Sequence, residues 1–444
     1  MIGGDGPMRS TGDVDAFFGG DGMNRFYAVR RGGHVLLLCG LIVGLLGARP
    51  AAASSIPLAC DQWINTASQN GQYYALTDVE ANYYGTIITP GAQPVAGSRI
   101  RIDAQFPAAR NFSITAYKGS GSVMDSITDY QVQPNAGSQS AYLDEVHLDS
   151  TVHAGGSYTV YIEFTPRPSN PAPNTLYEDP AVLQNDNSMI VYRVYLPSGN
   201  AYGGVGLPRL TVQTPNGNYP AKNYQACQTW AFAEGLGALG FTINLTKSGI
   251  FDFVPASNPK FRMYNSIKGN PLEAVNVDNK YLYAVIKSSE ADMALIRGRA
   301  PYYTTQSGVE PQVRHWSMCE NSLEFMTYGC IEDHGAAIDS GGYYNIVISP
   351  PNHKPANATH SYGFDWLTYG TNPTPGEGNI IYRQMLAAPS FTQAISNVAR
   401  WHSPVNVMGD YYPQITYCSA SVFSAHTAAH ESPASVFAAC QAGQ

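Results

Sequence analysis

Gly156-Ser157-Tyr158-Thr159-Val160-Tyr161-Ile162 returns later in the chain as Gly342-Tyr343-Tyr344-Asn345-Ile346-Val347-Ile348. Downstream of each copy a second pair matches. Ile190-Val191-Tyr192-Arg193 through Leu196 is answered by Ile380-Ile381-Tyr382-Arg383 through Leu386. The tyrosine spacing is 34 residues in the first copy (158 to 192) and 38 in the second (344 to 382), so both order and distance are kept. Outward from these strands the match continues. Phe112-Ser113-Ile114 and Trp316-Ser317-Met318 each begin 17 residues before an acid-plus-ring pair, Asp129-Tyr130 and Asp333-His334. The pattern predicts one β-rich unit used twice.

The remaining signals are also those of strands. Charged residues make up only 13% of the chain, while 43 glycines, 30 prolines and 30 tyrosines suit short strands and tight turns rather than helical bundles. Arg99-Ile100-Arg101-Ile102-Asp103-Ala104 alternates polar with apolar, which puts one face on a core and one in water. Strands are expected at 83–88, 100–106, 112–117, 158–164, 189–196 and 210–213, and again at 281–287, 294–299, 313–318, 344–349 and 379–386. The fold expected is mainly β: two related antiparallel β-sandwich, jelly-roll-like units in tandem, at 54–220 and 278–402. A short, partly helical connector (221–277) joins them, and a disulfide-closed tail (403–444) follows. A helix is expected over Phe391–Trp401, where Phe391, Ile395 and Val398 share a face.

The first 53 residues carry the marks of an export signal. Arg30 and Arg31 precede an apolar run from Val35 to Leu46, and Ala51-Ala52-Ala53 offers small side chains for cleavage. The run is shorter than the roughly 20 apolar residues that a spanning helix needs, so no transmembrane span is expected. The start codon is open between Met1 and Met23. The expected location is secreted, periplasmic or cell envelope. Without 1–53 the chain keeps 20 basic and 29 acidic residues, from 25 and 33, a net charge of −9. With no Lys/Arg-rich block, nucleic acid is not an expected partner. Seven cysteines become six once Cys39 leaves. An even number in an exported chain suggests disulfides, with 15 pairings open in principle. Local closure favours Cys319 with Cys330 and Cys418 with Cys440, which leaves Cys60 for Cys227.

Phe106-Pro107-Ala108-Ala109-Arg110-Asn111-Phe112-Ser113, Ala172-Pro173-Asn174-Thr175-Leu176-Tyr177, Tyr192-Arg193-Val194-Tyr195-Leu196-Pro197 and Pro355-Ala356-Asn357-Ala358-Thr359 before Trp366-Leu367 resemble a group of exported bacterial proteins of unknown function. Ser113-Ile114-Thr115-Ala116-Tyr117 is similar, more distantly, to a segment of β-sandwich domains of unknown function. The resemblance implies export and a sandwich fold, and it assigns no catalytic residue.

Several motifs bear on chemistry. Asp339-Ser340-Gly341-Gly342 imitates a serine-protease nucleophile segment and Thr427-Ala428-Ala429-His430 its histidine segment, but in the wrong order. In the repeat Ser340 answers Ala154, so turn formation explains the glycines. Arg193 and Arg383 sit within apolar strands and need partners if buried, for which Asp129 and Asp333 are the candidates. Where the first copy has Asn111, Phe112 and Asp129-Tyr130, the second has His315, Trp316 and Asp333-His334 with Glu332 adjacent. Histidine with carboxylate can bind a divalent metal or perform acid–base chemistry, which makes His315, Asp333, His334 and Arg383 the catalytic candidates. His315 and Trp316 are neighbours on a strand and face opposite ways. Trp316, Trp366, Tyr369 and Tyr382, with Arg193 and Asp129, are the candidates for ligand contact. Rings in turn-rich segments, among them Tyr142, Tyr177, Tyr302, Tyr303, Tyr411 and Tyr412, suit the apolar faces of sugars and equally suit sandwich cores. The function expected is binding of an extracellular saccharide or other polymer. A hydrolase or lyase sited in the second unit and a structural spacer are the alternatives.

Overall fold

Alternating β-branched and aromatic residues build the eight strands of the first half that have counterparts in the second. They are β1 (Ala81–Thr89), β2 (Arg99–Gln105), β3 (Asn111–Lys118), β4 (Val123–Thr128), β5 (Ser157–Glu163), β6 (Thr175–Tyr177), β7 (Ser188–Tyr195) and β8 (Arg209–Thr214). Eight more follow: β9 (Asn279–Lys287), β10 (Met293–Arg299), β11 (Val313–Asn321), β12 (Met326–Glu332), β13 (Tyr343–Ser349), β14 (Asp365–Thr368), β15 (Glu377–Ala387) and β16 (Gln414–Cys418). The computed structural model describes residues 55–443 except 67, 70–71, 75, 90–93, 119–121, 184–186, 225–226, 228–255, 264–275, 324–325, 371–375 and 400–401. The expected leader, most of the connector and Trp401 lie outside the described residues.

The chain is mainly β, in four sheets. Short edge strands apart, the first orders its strands β1-β7-β3-β4 and the second β6-β5-β2-β8. The third runs β9-β15-β11-β12 and the fourth β14-β13-β10-β16, the same two orders with each number raised by eight. Register follows order: Arg193 faces Ser113 across β7 and β3, and Arg383 faces Ser317 across β15 and β11. Pairing is antiparallel except at β5–β6 and β13–β14, which are parallel in both halves and depart from the all-antiparallel expectation. The backbone repeats down to an unusual detail. Leu196 and Leu386, just past β7 and near the end of β15, take left-handed φ of 45° and 42°, and their N–H groups donate to Glu80 and Asp278 carbonyls.

Each half encloses its own core. Ile100, Ile102, Ile114, Tyr158, Val160, Ile190 and Tyr192 pack between the first and second sheets, and Ala294, Ile296, Met318, Tyr344, Ile346, Ile380 and Tyr382 between the third and fourth. At the centre of the first, Phe112 stacks on Tyr158 at 5.4 Å and lies 6.1 Å from Tyr192. Trp316 takes that place in the second, 5.2 Å from Tyr344 and 6.3 Å from Tyr382.

Strands of the second sheet alternate between buried and accessible, as a sheet with one wet face must. The central strands of the first and third sheets, β3, β7, β11 and β15, are buried along nearly their whole length, every residue of β11 included. A second layer therefore covers the faces that point away from each core. Tyr83, Tyr117, Val191 and Tyr195 of the first sheet cluster there with Met385 of the third, and Asn276 and Asn279 donate to the Tyr195 hydroxyl. The outward faces of the two central sheets are buried on each other, and we call this contact the seam.

Three further features set the surroundings. The N-terminal segment pairs at Leu58–Ala59 with β1, crosses so that Gln72–Tyr74 joins the edge of β12, and returns to β1 through Asp78. The three disulfides join Cys319 to Cys330 and Cys418 to Cys440, as local closure favours, and Cys60 to Cys227, the pair left over. Beyond β16, which completes the fourth sheet past the expected boundary at 402, Ala420–Ala428 and Pro433–Ala442 form capped helices that cover that sheet's outer face through Phe423, Val436 and Phe437. The helix expected at Phe391–Trp401 is instead a turn-rich segment with a short 3₁₀ stretch at Ile395–Asn397. Phe391, Ile395 and Val398 are buried as a helix would bury them, but Pro389 and successive turns supply the geometry.

Candidate functional site

Arg110 immediately precedes β3, and Arg314 is the second residue of β11. Each arginine reaches across the seam. Arg110 donates to Oδ1 of Asp333, and Arg314 donates to Oδ2 of Asp129 at 3.0 Å. The two carboxylates are held alike: Asp129 Oδ2 accepts the Phe112 N–H at 3.3 Å, and Asp333 Oδ2 accepts the Trp316 N–H at 3.1 Å. The pairs expected within each half, Arg193 with Asp129 and Arg383 with Asp333, do not form. Arg193 lies mid-strand and donates to the Thr115 and Tyr117 hydroxyls, and Arg383 donates to the Leu76 carbonyl and to Cys319 Sγ. The aspartates follow β4 and β12, beside the strand starts and beyond either arginine's reach.

His315 is the centre of the cluster. Its side chain points into the seam, while Trp316 points into the core, as strand alternation requires. Nδ1 lies 2.8 Å from Asp333 Oδ2. On the other edge of the ring, Nε2 is 3.1 Å from Glu332 Oε2 and 3.5 Å from Asp78 Oδ2. Asp78 is oriented by the Ser317 hydroxyl, which donates to Oδ2 at 2.6 Å, and by the Glu80 N–H on Oδ1 at 3.1 Å. Glu332 opposes Ser317 across β11 and β12, two positions from the Cys319–Cys330 link. Asp78, His315 and Glu332 together could hold a metal ion, since one donor atom from each falls within 4.8 Å of the others.

Burial sets the electrostatics. It would raise the Asp78 and Asp333 carboxyls, but the His315 imidazole beside both outweighs it and holds them well below the usual range. Burial would lower His315, yet the Asp333 charge and hydrogen bond push it well above its ordinary value. Glu332 is raised to about 8 by burial and by the Asp78 charge. Asp129 is raised to about 6, burial outweighing the Arg314 charge.

Of the four catalytic candidates only His334 reaches solvent. Its side chain is 44% exposed with Nδ1 3.5 Å from Asp333 Oδ1, whereas His315, Asp333 and Arg383 are 1–3% exposed. His315 and His334 both lie against Asp333, Arg383 bonds elsewhere, and the group is closed to a substrate. The ligand-contact candidates fare similarly: Trp316, Tyr382 and Tyr369 are core residues, and Arg193 and Asp129 belong to the seam. Trp366 is half-buried, donating to Ser349 Oγ at 2.9 Å beneath the Lys354 ammonium. Tyr142, Tyr177 and Tyr411 are buried, and only Tyr302 of the loop rings is exposed, so these rings form no platform. Ser340 is exposed on a turn whose Asp339 carboxylate accepts the Gly341 and Tyr343 N–H groups, and His430 stacks on Tyr362. That is turn chemistry.

Among the described residues an open concavity lies elsewhere. A groove of about 430 Å³ lies on the wet face of the second sheet, lined by Arg101, Gln133, Asn135, Thr159, Tyr161 and Asn174. Sequence reasoning missed it, although alternation in β2 had already placed Arg101 in water. It also missed Arg110 and Arg314, which the repeat register could have revealed, and Asp78, which carries no local signal.

Comparison with solved structures returns distant likenesses. The chain aligns over 82% of its length with 83% of an uncharacterised protein from Burkholderia cenocepacia, at 13% identity and a TM-score of 0.48. It aligns over 78% of its length with 91% of a protein from Vibrio parahaemolyticus, at 10% identity and a TM-score of 0.36. No family model and no curated protein matches the chain.

Proposed function

We propose that this is a binding protein of the cell envelope or extracellular medium that takes a hydroxyl-rich polymer, with saccharide the favoured class, in the groove on the second sheet. The lining carries this reading: amide, hydroxyl and guanidinium groups with a tyrosine ring, the Arg101 guanidinium and Thr159 hydroxyl being held in place by the Asp103 carboxylate. Amides and a ring face suit sugar hydroxyls and the apolar C–H faces between them. One face of Tyr161 is taken by Arg99 at 4.0 Å, which stiffens the ring against the sheet. The tail helices that cover the fourth sheet leave this wet face to the first half alone. Three disulfides support an oxidising compartment. Among the described residues no helix is long and apolar enough to cross a membrane. We read the two sheet pairs as copies of one ancestral unit, the second extended to include β16.

Retention on immobilised polysaccharides tests the proposal. Gln133→Ala with Arg101→Ala should lower retention about tenfold, the loss of one or two hydrogen bonds. Retention unchanged by both, or absent from every polysaccharide tried, would overturn it.

A further inference from the structure

We propose that Asp78, His315 and Glu332 hold one divalent first-row transition-metal ion at the seam, joining the N-terminal segment to β11 and β12. Spacing is the first argument. Donors bonded at about 2.1 Å to one ion lie roughly 3.0–3.4 Å apart at octahedral to tetrahedral angles. Nε2 of His315 is 3.1 and 3.5 Å from the Glu332 and Asp78 oxygens.

Unused bonding capacity is the second. His315 Nε2 and both Glu332 oxygens are buried and, among the described residues, make no well-oriented hydrogen bond beyond the 3.1 Å ion-pair contact between Nε2 and Oε2. Leaving such groups without partners is costly, and a shared cation would satisfy all three at once. The outer shell is already in place. Asp333 engages Nδ1, so a metal ion that displaces the Nε2 proton would meet the carboxylate–histidine–metal arrangement. The Cys319–Cys330 link fixes β11 against β12 and so sets the distance between His315 and Glu332. One imidazole with two carboxylates is a borderline-to-hard set, suited to Zn²⁺, Mn²⁺ or Fe²⁺. The sulfurs of Cys319 and Cys330 are committed to each other and take no part.

The other half of the molecule supplies an internal control. Asn276 stands before β9 as Asp78 stands before β1: the Asp278 N–H bonds Asn276 Oδ1 at 3.1 Å, as Glu80 bonds Asp78. Asn111 occupies the place of His315 on β3, and Thr128, opposite Ser113, the place of Glu332. All three ligand positions are neutral there. Asn111 Nδ2 simply donates to Thr128 Oγ1 at 3.3 Å and to Asp129 Oδ2 at 2.9 Å. The nearby carboxylate on that side, Asp278, answers Glu80 rather than a ligand. The framework therefore accepts uncharged residues at these positions, and the ionisable trio needs another reason.

The test uses the full chain as purified, stripped with chelator and reloaded with Zn²⁺ or Mn²⁺, with metal content by mass spectrometry and thermal unfolding as readouts. Roughly one equivalent should bind, with a higher midpoint in the loaded protein. His315→Asn and Glu332→Thr, which install the first half's own residues, should abolish binding and the midpoint shift while keeping the far-ultraviolet dichroism of the parent. Glu310→Gln, at the exposed His147 contact, should change neither. Failure of the wild type to bind either ion, or equal binding by the variants, overturns the proposal. Should neither variant fold, X-ray absorption of the zinc-loaded wild type decides: one imidazole with oxygen donors supports the site, and none or several overturns it.

Discussion

Glu178, one residue past β6, is fully buried and neither carboxylate oxygen has a hydrogen-bond partner among the described residues. Burial raises its pKa from 4.5 to about 8, opposed by the nearby Ser188 hydroxyl. The sign follows from linkage. Below pH 4.5 both folded and unfolded chains carry the proton and the group costs nothing. Between 4.5 and about 8 the unfolded chain ionises and the folded one does not, so stability falls as pH rises through this window. Glu178→Gln should remove that slope and raise stability by several kcal/mol at pH 8, with little change at pH 4, as read by urea unfolding at both pH values. A variant that loses stability at pH 8 would mean that the carboxylate has a function this account omits. At this scale the sequence was legible wherever the repeat supplied a comparison. His315 and Asp333 stood out because their counterparts are Asn111 and Asp129. Asp78 did not, because its role depends on a crossing segment that no periodicity marks.

Strands were easier to find than their neighbours. All eleven expected strands form, with ends within two residues of those expected except that β11 runs three residues further, because each combines β-branched or aromatic residues with flanking turn formers. Those missed, β4, β6, β12, β14 and β16, are short or interrupted by polar residues, as in Val-Met-Asp-Ser-Ile-Thr of β4, and owe their conformation to pairing with a longer partner. The Phe391–Trp401 periodicity reported burial correctly and conformation wrongly, since a turn-rich segment can bury the same three side chains. The tail helices are the clearest case of an element held by tertiary contact. Cys418–Cys440 closes a loop with a sequence separation of 22, worth about 3 kcal/mol on the chain-entropy account. Cys418→Ala with Cys440→Ala should cause both helices to exchange amide hydrogens at least tenfold faster while β10 and β13 stay protected. Equal loss of protection in the fourth sheet would show instead that the helices are integral to it.

At the scale of the whole molecule the reciprocal bridges decide how the halves behave. Arg110–Asp333 and Arg314–Asp129 are both buried at the seam, but their surroundings differ. With Arg110 removed, Asp333 still faces His315 at 2.8 Å. Once Arg314 is gone, Asp129 keeps only neutral donors, the Asn111 amide and the N–H groups of Phe112 and Tyr130. Breaking a buried pair costs about 3–5 kcal/mol because one charge is left without compensation. Arg314→Met should therefore approach that range and Arg110→Met fall clearly below it, as measured by denaturant midpoints at pH 7. Equal costs, or the reverse order, would mean that His315 does not compensate Asp333. The seam also buries the outward faces of both central sheets, so neither half can unfold without exposing Tyr83, Tyr117, Tyr195 and Met385 of the shared cluster. Calorimetry should accordingly show one transition in the wild type. In Arg314→Met, where the coupling across the seam is weakened and each core is left intact, that transition should broaden or divide.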